Sequence, residues 1–394
     1  MDKLNTNVLI VGKSGVGKSS LLNYMFGTET EKVGCGKPVT KKGVYSHKYE
    51  YDKDFHINIY DTWGLEADKQ NEWRKLIDDK VEEHDKKNVC DWFNTIIYCV
   101  SAKSSRIESF EIQIINDLIK EKNHIVVAVT NCDNVNDNDA KMLVDRLKNE
   151  SELSEENIIL VCSVDKKTIG KSVSKFGKEK IFTAIIKNLW KSLKDKVPYR
   201  LQKELNESFE REKKELHLFV SEQQLLFRRE TTIKKFEDAV NKKIEEFIAE
   251  TVKKVNRTFE DAINYYSKLT KKYTEVGELL SIQGNIVKDT KFEALGEFKN
   301  KIDKMVNGVK NDINELNKLG RETFSKELAK KFLYAFKLYI SNTKKFKRDL
   351  DEMIVFYLDE VKKKMEKQIN DINLRIQNKD IEKICDEQLS LTKK

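Results

Sequence analysis

The first residues with a clear chemical role follow a short apolar strand near the N-terminus. Val8–Val11 leads into Gly12-Lys13-Ser14-Gly15-Val16-Gly17-Lys18-Ser19-Ser20, and Leu21-Leu22-Asn23 begins a helix. Glycines in such a loop let backbone N–H groups converge on phosphate oxygens at a helix N-terminus. Lys18 would reach the β- and γ-phosphates, and the Ser19 hydroxyl would bind Mg²⁺. The predicted phosphate-contacting residues are Ser14, Gly15, Val16, Gly17, Lys18, Ser19 and Ser20.

Two later motifs supply further groups suited to a magnesium and phosphate site. Thr40 ends Gly34-Cys35-Gly36-Lys37-Pro38-Val39-Thr40 and would bring a hydroxyl and a carbonyl to Mg²⁺ and an attacking water. Asp61 opens Asp61-Thr62-Trp63-Gly64-Leu65 and would hold Mg²⁺ through water, and Gly64 would offer its N–H to the γ-phosphate. The predicted catalytic residues are Lys18, Thr40 and Gly64, and the predicted metal ligands are Ser19, Thr40 and Asp61.

A base-binding site is predicted where two later strands end. Ile125–Val129 leads into Thr130-Asn131-Cys132-Asp133, and the Asp133 carboxylate can accept hydrogen bonds from two N–H groups on one edge of guanine. Adenine lacks that pair of donors, so Asp133 would favour GTP; an Asp in an ordinary polar loop is the alternative. Ile158–Val161 ends in Cys162-Ser163-Val164, where a backbone N–H would meet the guanine carbonyl. The predicted base-contacting residues are Thr130, Asn131, Asp133, Ser163 and Val164.

These five elements, over residues 5–195, resemble the signature motifs of small GTPases. The segments 34–40 and 61–65 are similar, more narrowly, to the Era/TrmE/septin-like GTPases, with a G domain of the 50S ribosome-binding GTPase type. A GTPase domain followed by a helical domain also resembles interferon-inducible and dynamin-like GTPases. The resemblance implies a GTP or GDP complex with Mg²⁺, slow hydrolysis, and switch loops around Thr40 and Gly64 that report nucleotide state to a partner.

Three positions depart from the family pattern. Asn131 stands where the family has a lysine whose stem covers the guanine ring, which bears on base affinity and selectivity. Trp63 replaces a common proline and alters the expected path of the second switch loop. Leu65 follows Gly64 where Ras-like proteins have a water-orienting glutamine, and leucine cannot orient water. Hydrolysis would then need another group, for which a second subunit is one source.

The sequence assigns neither a potassium ion nor an arginine as the additional group that hydrolysis would need. Gly15 occupies the place of an asparagine found in potassium-activated relatives, which argues against potassium dependence. Arg74 and Arg106 lie in the predicted GTPase domain, but a surface arginine is the better interpretation of each.

Apolar patterning predicts the elements that position these motifs. Short apolar runs alternate with helical segments up to residue 195, which predicts an α/β domain with a mostly parallel sheet and helices on both faces. The expected strands contain Val8–Val11, Phe55/Ile57/Ile59, Ile96–Val100, Ile125–Val129 and Ile158–Val161. From 199 onward the spacing is helical, most clearly over Ile233–Tyr266 and Phe346–Ile376, and predicts an elongated all-α bundle.

The boundary between the two predicted domains is placed at Pro198. Ten of the fifteen glycines precede that residue, and the only other proline is Pro38. The domains are therefore expected to span 1–197 and 198–394. The basic and acidic residues number 32 and 31 over 1–198, and 42 and 35 over 199–394. The net charge of +8 is therefore almost wholly on the second half, which an electrostatic partner would prefer.

Composition indicates a cytoplasmic protein. No stretch approaches the ~18 apolar residues of a membrane span, and Met1–Asn5 lacks the basic and apolar pattern of a signal peptide. The six cysteines show no paired spacing, which argues against zinc sites and disulfides. The apolar segment Phe332–Ile340 precedes a basic cluster and suits either a central bundle helix, the preferred interpretation, or peripheral contact with an anionic membrane.

The leading hypothesis is a GTP-hydrolysing switch with a nucleotide-dependent homodimer or oligomer and a helical half that drives assembly or a protein or membrane-surface interaction. A nucleotide-bound scaffold with little turnover is the first alternative. A ribosome- or RNA-associated GTPase is the second, although nothing in the sequence resembles a nucleic-acid-binding module.

Overall fold

A six-stranded sheet organises the N-terminal half of the protein in this computed structural model. The structure describes residues 4–27, 44–62, 69–104, 106–134, 137–168, 171–222, 230–273 and 326–373. The strands are β1 (Leu4–Gly12), β2 (Val44–Asp52), β3 (Phe55–Thr62), β4 (Phe93–Ser101), β5 (Ile125–Thr130) and β6 (Ile158–Leu160). Their order is β2-β3-β1-β4-β5-β6, with β2 antiparallel to β3 and the other pairs parallel. The predicted α/β fold class is confirmed.

The register of the sheet brings the predicted motifs to one edge. Ile10 of β1 lies opposite Asp61 of β3, and Gly12 lies opposite Cys99 of β4. Val8–Val11 are fully buried, as expected for a central parallel strand covered on both faces. The loops after β1, β3, β5 and β6 therefore leave the sheet at the same carboxyl edge, where ligands bind in open α/β folds.

Helices and one small hairpin complete the described chain. The helices are α1 (Lys18–Phe26), α2 (Gln70–Asp85), α3 (Ser109–Lys120), α4 (Asp137–Glu150), α5 (Lys178–Glu222), α6 (Glu230–Tyr273) and α7 (Lys326–Asn373). Strands β7 (Lys166–Thr168) and β8 (Lys171–Val173) pair antiparallel before α5. α2 buries Trp73, Ile77 and Val81, a spacing of four residues that keeps one helix face on the sheet.

The chain divides into two compact units. The described residues of the first are those between 4 and 200 together with 258–273 and Asn373, and those of the second are the described residues of 201–257 and 326–372. The boundary predicted at 197/198 falls inside α5, which continues through Pro198. In the first unit Tyr266 of α6 donates its hydroxyl to the Leu189 carbonyl at 2.7 Å.

The second unit is built from long helices, as the helical spacing predicts. Phe209 of α5 contacts Phe247 of α6 edge-on, with ring centroids 4.9 Å apart. Lys213 of α5 pairs with Asp359 of α7 at 2.6 Å. Phe332–Ile340 lies within α7, but the burial of its side chains lies outside what the structure describes. None of the described helices has a stretch apolar enough to cross a bilayer.

Candidate functional site

The phosphate loop connects β1 to α1 through two constrained glycines. Gly12 has a φ of +148°, and a Cβ there would lie 2.6 Å from the Cys99 carbonyl oxygen, so only glycine fits this approach to β4. Gly17, with a φ of +95°, precedes Lys18, the first residue of α1. The strand, loop and helix that the motif requires are all present, and the N-terminal N–H groups of α1 are available to an anion.

Lys18 is held by the loop itself. Its Nζ donates hydrogen bonds to the carbonyl oxygens of Gly12 and Lys13, each at 3.0 Å. Burial lowers the pKa of this ammonium, and the nearby Asp61 carboxylate acts in the opposite direction. The loop's own carbonyl oxygens therefore position this cation, which suits a group that must neutralise phosphate charge.

Ser19 and Asp61 line one small cavity of about 70 Å³, beside His47 and Ile59. Burial raises the pKa of the Asp61 carboxyl to about 6, and Lys18 offsets only part of that effect. Among the described residues, Asp61 Oδ1 is buried and has no hydrogen-bond partner. A hydroxyl and an unsatisfied carboxylate next to a phosphate loop are ligands that suit Mg²⁺, so the residues present fit the predicted metal.

The base-binding loop is joined directly to the phosphate loop. The Thr130 hydroxyl lies within hydrogen-bonding reach of the Val16 carbonyl and of the Val100 carbonyl, the latter at 3.2 Å. Asn131 has a φ of +56° and donates from Nδ2 to Ser101 Oγ at 2.9 Å. Both side chains therefore connect the base loop to neighbouring elements at the strand ends.

The remaining base-contacting candidates lie on the adjoining loops. Asp133 is half-buried in a short 3₁₀ turn that directly follows β5. The Cys132 N–H donates to the Val161 carbonyl at 3.3 Å, which brings this turn next to the segment containing Ser163 and Val164. The two loops thus come together, while the roles assigned to these residues stay predictions.

Some predicted groups are not among the residues that the structure describes, and one candidate arginine has other partners. Thr40 and Gly64, together with Trp63 and Leu65, lie outside the described residues. Arg74 forms ion pairs with Asp117 and, at 3.8 Å, with Asp78, and so occupies a helix surface.

One contact of the phosphate loop is not evident from the motif. Lys13 pairs with Glu108 at 2.6 Å and Glu111 at 2.8 Å. The only sequence hint is the spacing of the two glutamates, which suits a helix-capping pair.

Fold and site together define the class of this N-terminal region. A mostly parallel six-stranded sheet, a phosphate loop between β1 and α1, and an aspartate at the end of β3 form the arrangement that is typical of a P-loop GTPase G domain. Residues 7–131 match the model of a family described as "50S ribosome-binding GTPase".

Individual relatives show the same relationship over part of the chain. GTPase Der of Thermosipho africanus is 34% identical over 128 residues, which are 32% of this chain and 26% of that protein. GTPase Der of Staphylococcus epidermidis is 32% identical over 131 residues, 32% of this chain and 27% of that protein. The chain thus spans about a quarter of the length of these curated relatives. The solved G domain of the T. maritima FeoB iron transporter is 17% identical, with 47% of this chain and 98% of that chain covered, at a TM-score of 0.32.

Proposed function

We propose that this protein binds GTP or GDP together with Mg²⁺ and hydrolyses GTP. The observation that supports this most directly is the buried Oδ1 of Asp61, a residue that shares a cavity with Ser19 beside the phosphate loop. Among the described residues this oxygen has no hydrogen-bond partner, which is costly unless a cation accompanies it. A metal–nucleotide complex would satisfy this group.

Each residue of the site has a separate role in this proposal. Lys18 neutralises charge on the β- and γ-phosphates, and Ser19 and Asp61 hold Mg²⁺, with Thr40 completing its ligands when GTP is bound. Bound Mg²⁺ would supply charge neutralisation at the phosphates. Gly64 donates its backbone N–H to the γ-phosphate. Because the group that orients water is not glutamine at position 65, slow intrinsic turnover is expected.

Guanine selectivity rests on the two joined loops. Asp133 would accept two hydrogen bonds from the guanine edge, and the backbone near Ser163 and Val164 would meet its carbonyl oxygen. Asn131 donates to Ser101 Oγ, so its side chain holds the loop in place. Selectivity for guanine is therefore expected to depend mainly on Asp133.

We extend the proposal to the helical half, whose resemblance is to interferon-inducible and dynamin-like GTPases. Nucleotide-dependent dimers or oligomers would supply the missing catalytic group and couple hydrolysis to assembly or to a protein or membrane-surface partner. The excess of basic residues over 199–394 favours an anionic partner for this half.

A ribosomal partner is the second candidate function. Its support is the match of residues 7–131 to the family described as "50S ribosome-binding GTPase". Nucleotide-dependent co-sedimentation of the full chain with 50S subunits at physiological salt would favour this candidate, and binding that disappears above low salt would remove it.

The first experiment measures phosphate release from GTP and ATP, with Mg²⁺, over a range of protein concentrations. Wild type is compared with Lys18→Ala and with Lys120→Ala, an exposed lysine of α3. We expect GTP-selective release that is lost in Lys18→Ala and retained in Lys120→Ala. A rate per molecule that rises with concentration supports assembly. If the protein binds nucleotide but releases phosphate only at the background rate, the proposed GTPase activity is wrong and the nucleotide-bound scaffold remains.

A further inference from the structure

Lys13, which directly follows the first glycine of the phosphate loop, contacts the start of helix α3. Its ammonium lies 2.6 Å from Glu108 Oε1 and 2.8 Å from Glu111 Oε2, and 5.3 Å from the centre of the Phe110 ring. These partners sit at the N-terminus of α3, 95 residues away along the chain for Glu108. A single side chain therefore joins the phosphate loop to a neighbouring helix.

The Glu111 end of this contact is buried. Its side chain is 3% exposed, against 26% for Lys13. Glu111 also accepts hydrogen bonds from the Tyr98 hydroxyl at 3.2 Å and from the Glu108 N–H at 3.1 Å. Exposed ion pairs contribute little, but removing one partner of a buried pair leaves an uncompensated charge. Lys13 is the cation that balances Glu111.

The main chain of Lys13 also contacts the phosphate-binding lysine, Lys18. The Lys13 carbonyl oxygen accepts a hydrogen bond from the Lys18 ammonium, and the carbonyl oxygen of Gly12 accepts another. The residue anchored to α3 by its side chain is thus one of the two that position the phosphate-binding lysine. A shift of Lys13 would move that carbonyl and loosen Lys18.

The helix that holds Lys13 is itself anchored. Asp117, two turns along α3, pairs with Arg74 of α2. α2 begins at Gln70, shortly after the segment that contains Gly64. Glu108 and Glu111, which bind Lys13, therefore lie at the start of a helix that is itself paired with α2.

We infer that Lys13 is a positioning residue, which ties the phosphate loop to Glu108 and Glu111 of α3 and so holds Lys18 in place for the phosphates of a bound nucleotide. The inference rests on the proposed function, because it assigns Lys13 a role in nucleotide retention and turnover. Lys13 itself does not contact the phosphates in this assignment; it acts through the carbonyl that receives Lys18.

The test compares Lys13→Met, Lys13→Arg and the exposed control Lys120→Met. Dissociation of a fluorescent GDP analogue and the kcat and KM of phosphate release are measured for each. We expect Lys13→Met to release the analogue about tenfold faster and to lower kcat on the order of tenfold, since a charge-assisted hydrogen-bond network is lost. Lys13→Arg should restore both to within about threefold, because arginine keeps the charge and the donors.

Folding is separated from positioning by a double variant. Lys13→Met leaves Glu111 as an unpaired buried charge, but Lys13→Met/Glu111→Gln removes both charges and should melt closer to wild type. If the double variant still releases the analogue quickly, Lys13 positions the loop. Wild-type retention in the folded double variant would overturn the inference and leave the proposed function standing. A wild-type protein that binds no guanine nucleotide would instead defeat the proposed function.

Discussion

Lys196 and Asp85 form an ion pair of 3.0 Å in which the side chains are 0% and 4% exposed. Lys196 Nζ also donates to the Phe93 carbonyl at 2.9 Å, and Arg200 pairs with the second oxygen of Asp85. Asp85 ends α2, Phe93 begins β4, and both cations belong to α5. One carboxylate therefore fixes α5 against the end of the sheet opposite the phosphate loop.

Asp85→Asn should be strongly destabilising. The substitution leaves two buried cations without their shared carboxylate, and we expect it to lower the free energy of unfolding by about 3–5 kcal/mol. Chemical denaturation monitored by circular dichroism would measure this. Glu82→Gln is the matched control on the same helix, because its pair with Lys86 at 2.7 Å is exposed and should contribute below ~1 kcal/mol. Equal effects of the two substitutions would contradict the buried ion-pair assignment.

His124 should make the fold sensitive to acid. Burial, with Lys196 and Lys191 nearby, lowers the pKa of this imidazole to about 3. Because the folded pKa lies below the unfolded value of about 6.5, the unfolded state binds the proton first as the pH falls. The neutral His124 imidazole therefore contributes fully to the free energy of unfolding above about pH 6.5, and this contribution is lost as the pH falls toward 3.

The measurement is the difference in unfolding free energy between wild type and His124→Gln from pH 7 to 4.5. We expect wild type to lose about 2–3 kcal/mol more than the variant over that range. Gln113→Ala, at an exposed position of α3 without a titrating side chain, should follow the wild-type curve closely. If the curves for wild type and His124→Gln are parallel, protonation of this histidine does not cause the loss of stability at low pH.

The apolar runs predicted the central strands because hydrophobic patterning alone specifies them. β2 was not predicted, since Val44–Asp52 alternates polar and aromatic residues as an edge strand does. Tyr49 is half-buried by tertiary contacts, because its ring centroid lies 5.0 Å from that of Phe26 and 5.8 Å from that of Phe182. Lys166–Thr168 and Lys171–Val173 were missed because they carry no apolar alternation.

Pro198, where the sequence predicts the boundary between the two domains, lies inside the long helix α5. A proline removes one helix hydrogen bond and favours a break, yet α5 continues through it. Lys196 and Val197 are buried immediately before it, and these contacts offset the lost bond. Local propensity therefore gave way to tertiary packing, which no single-sequence pattern records.

The phosphate loop was predictable because its chemistry lies within nine consecutive residues. The contacts that support it were not, because they join distant parts of the chain. Thr130 reaches the Val16 carbonyl across 114 positions, and Lys13 reaches Glu108 across 95. The order of motifs indicated that these loops converge, but only the folded sheet shows which atoms meet.

Thr130→Val should loosen the connection between the base loop and the phosphate loop. The buried hydroxyl lies within reach of two carbonyl oxygens, so replacing it with a methyl group should cost about 1–2 kcal/mol and speed nucleotide release. Thermal unfolding and dissociation of a fluorescent GDP analogue measure the two effects.

Thr95→Val provides the matched control for that substitution. Thr95 is fully buried in β4, and within the described residues its hydroxyl has no hydrogen-bond partner. Removing an unsatisfied hydroxyl should be neutral or stabilising and leave nucleotide release unchanged. If both valine variants behave alike, the Thr130 hydroxyl does not join the loops.

Gly12→Ala should disrupt the start of the phosphate loop more than Gly15→Ala does. Both glycines have positive φ values, +148° and +76°, so alanine strains the backbone at each. A Cβ at Gly12 would also lie 2.6 Å from the Cys99 carbonyl oxygen, whereas one at Gly15 meets nothing within 4 Å. We expect Gly15→Ala to cost about 1–2 kcal/mol, and Gly12→Ala to cost more because β1 and β4 must also separate. Denaturant unfolding without nucleotide isolates this effect from ligand binding. Equal losses would mean that β4 accommodates the added methyl group and that close packing is not what requires glycine at position 12.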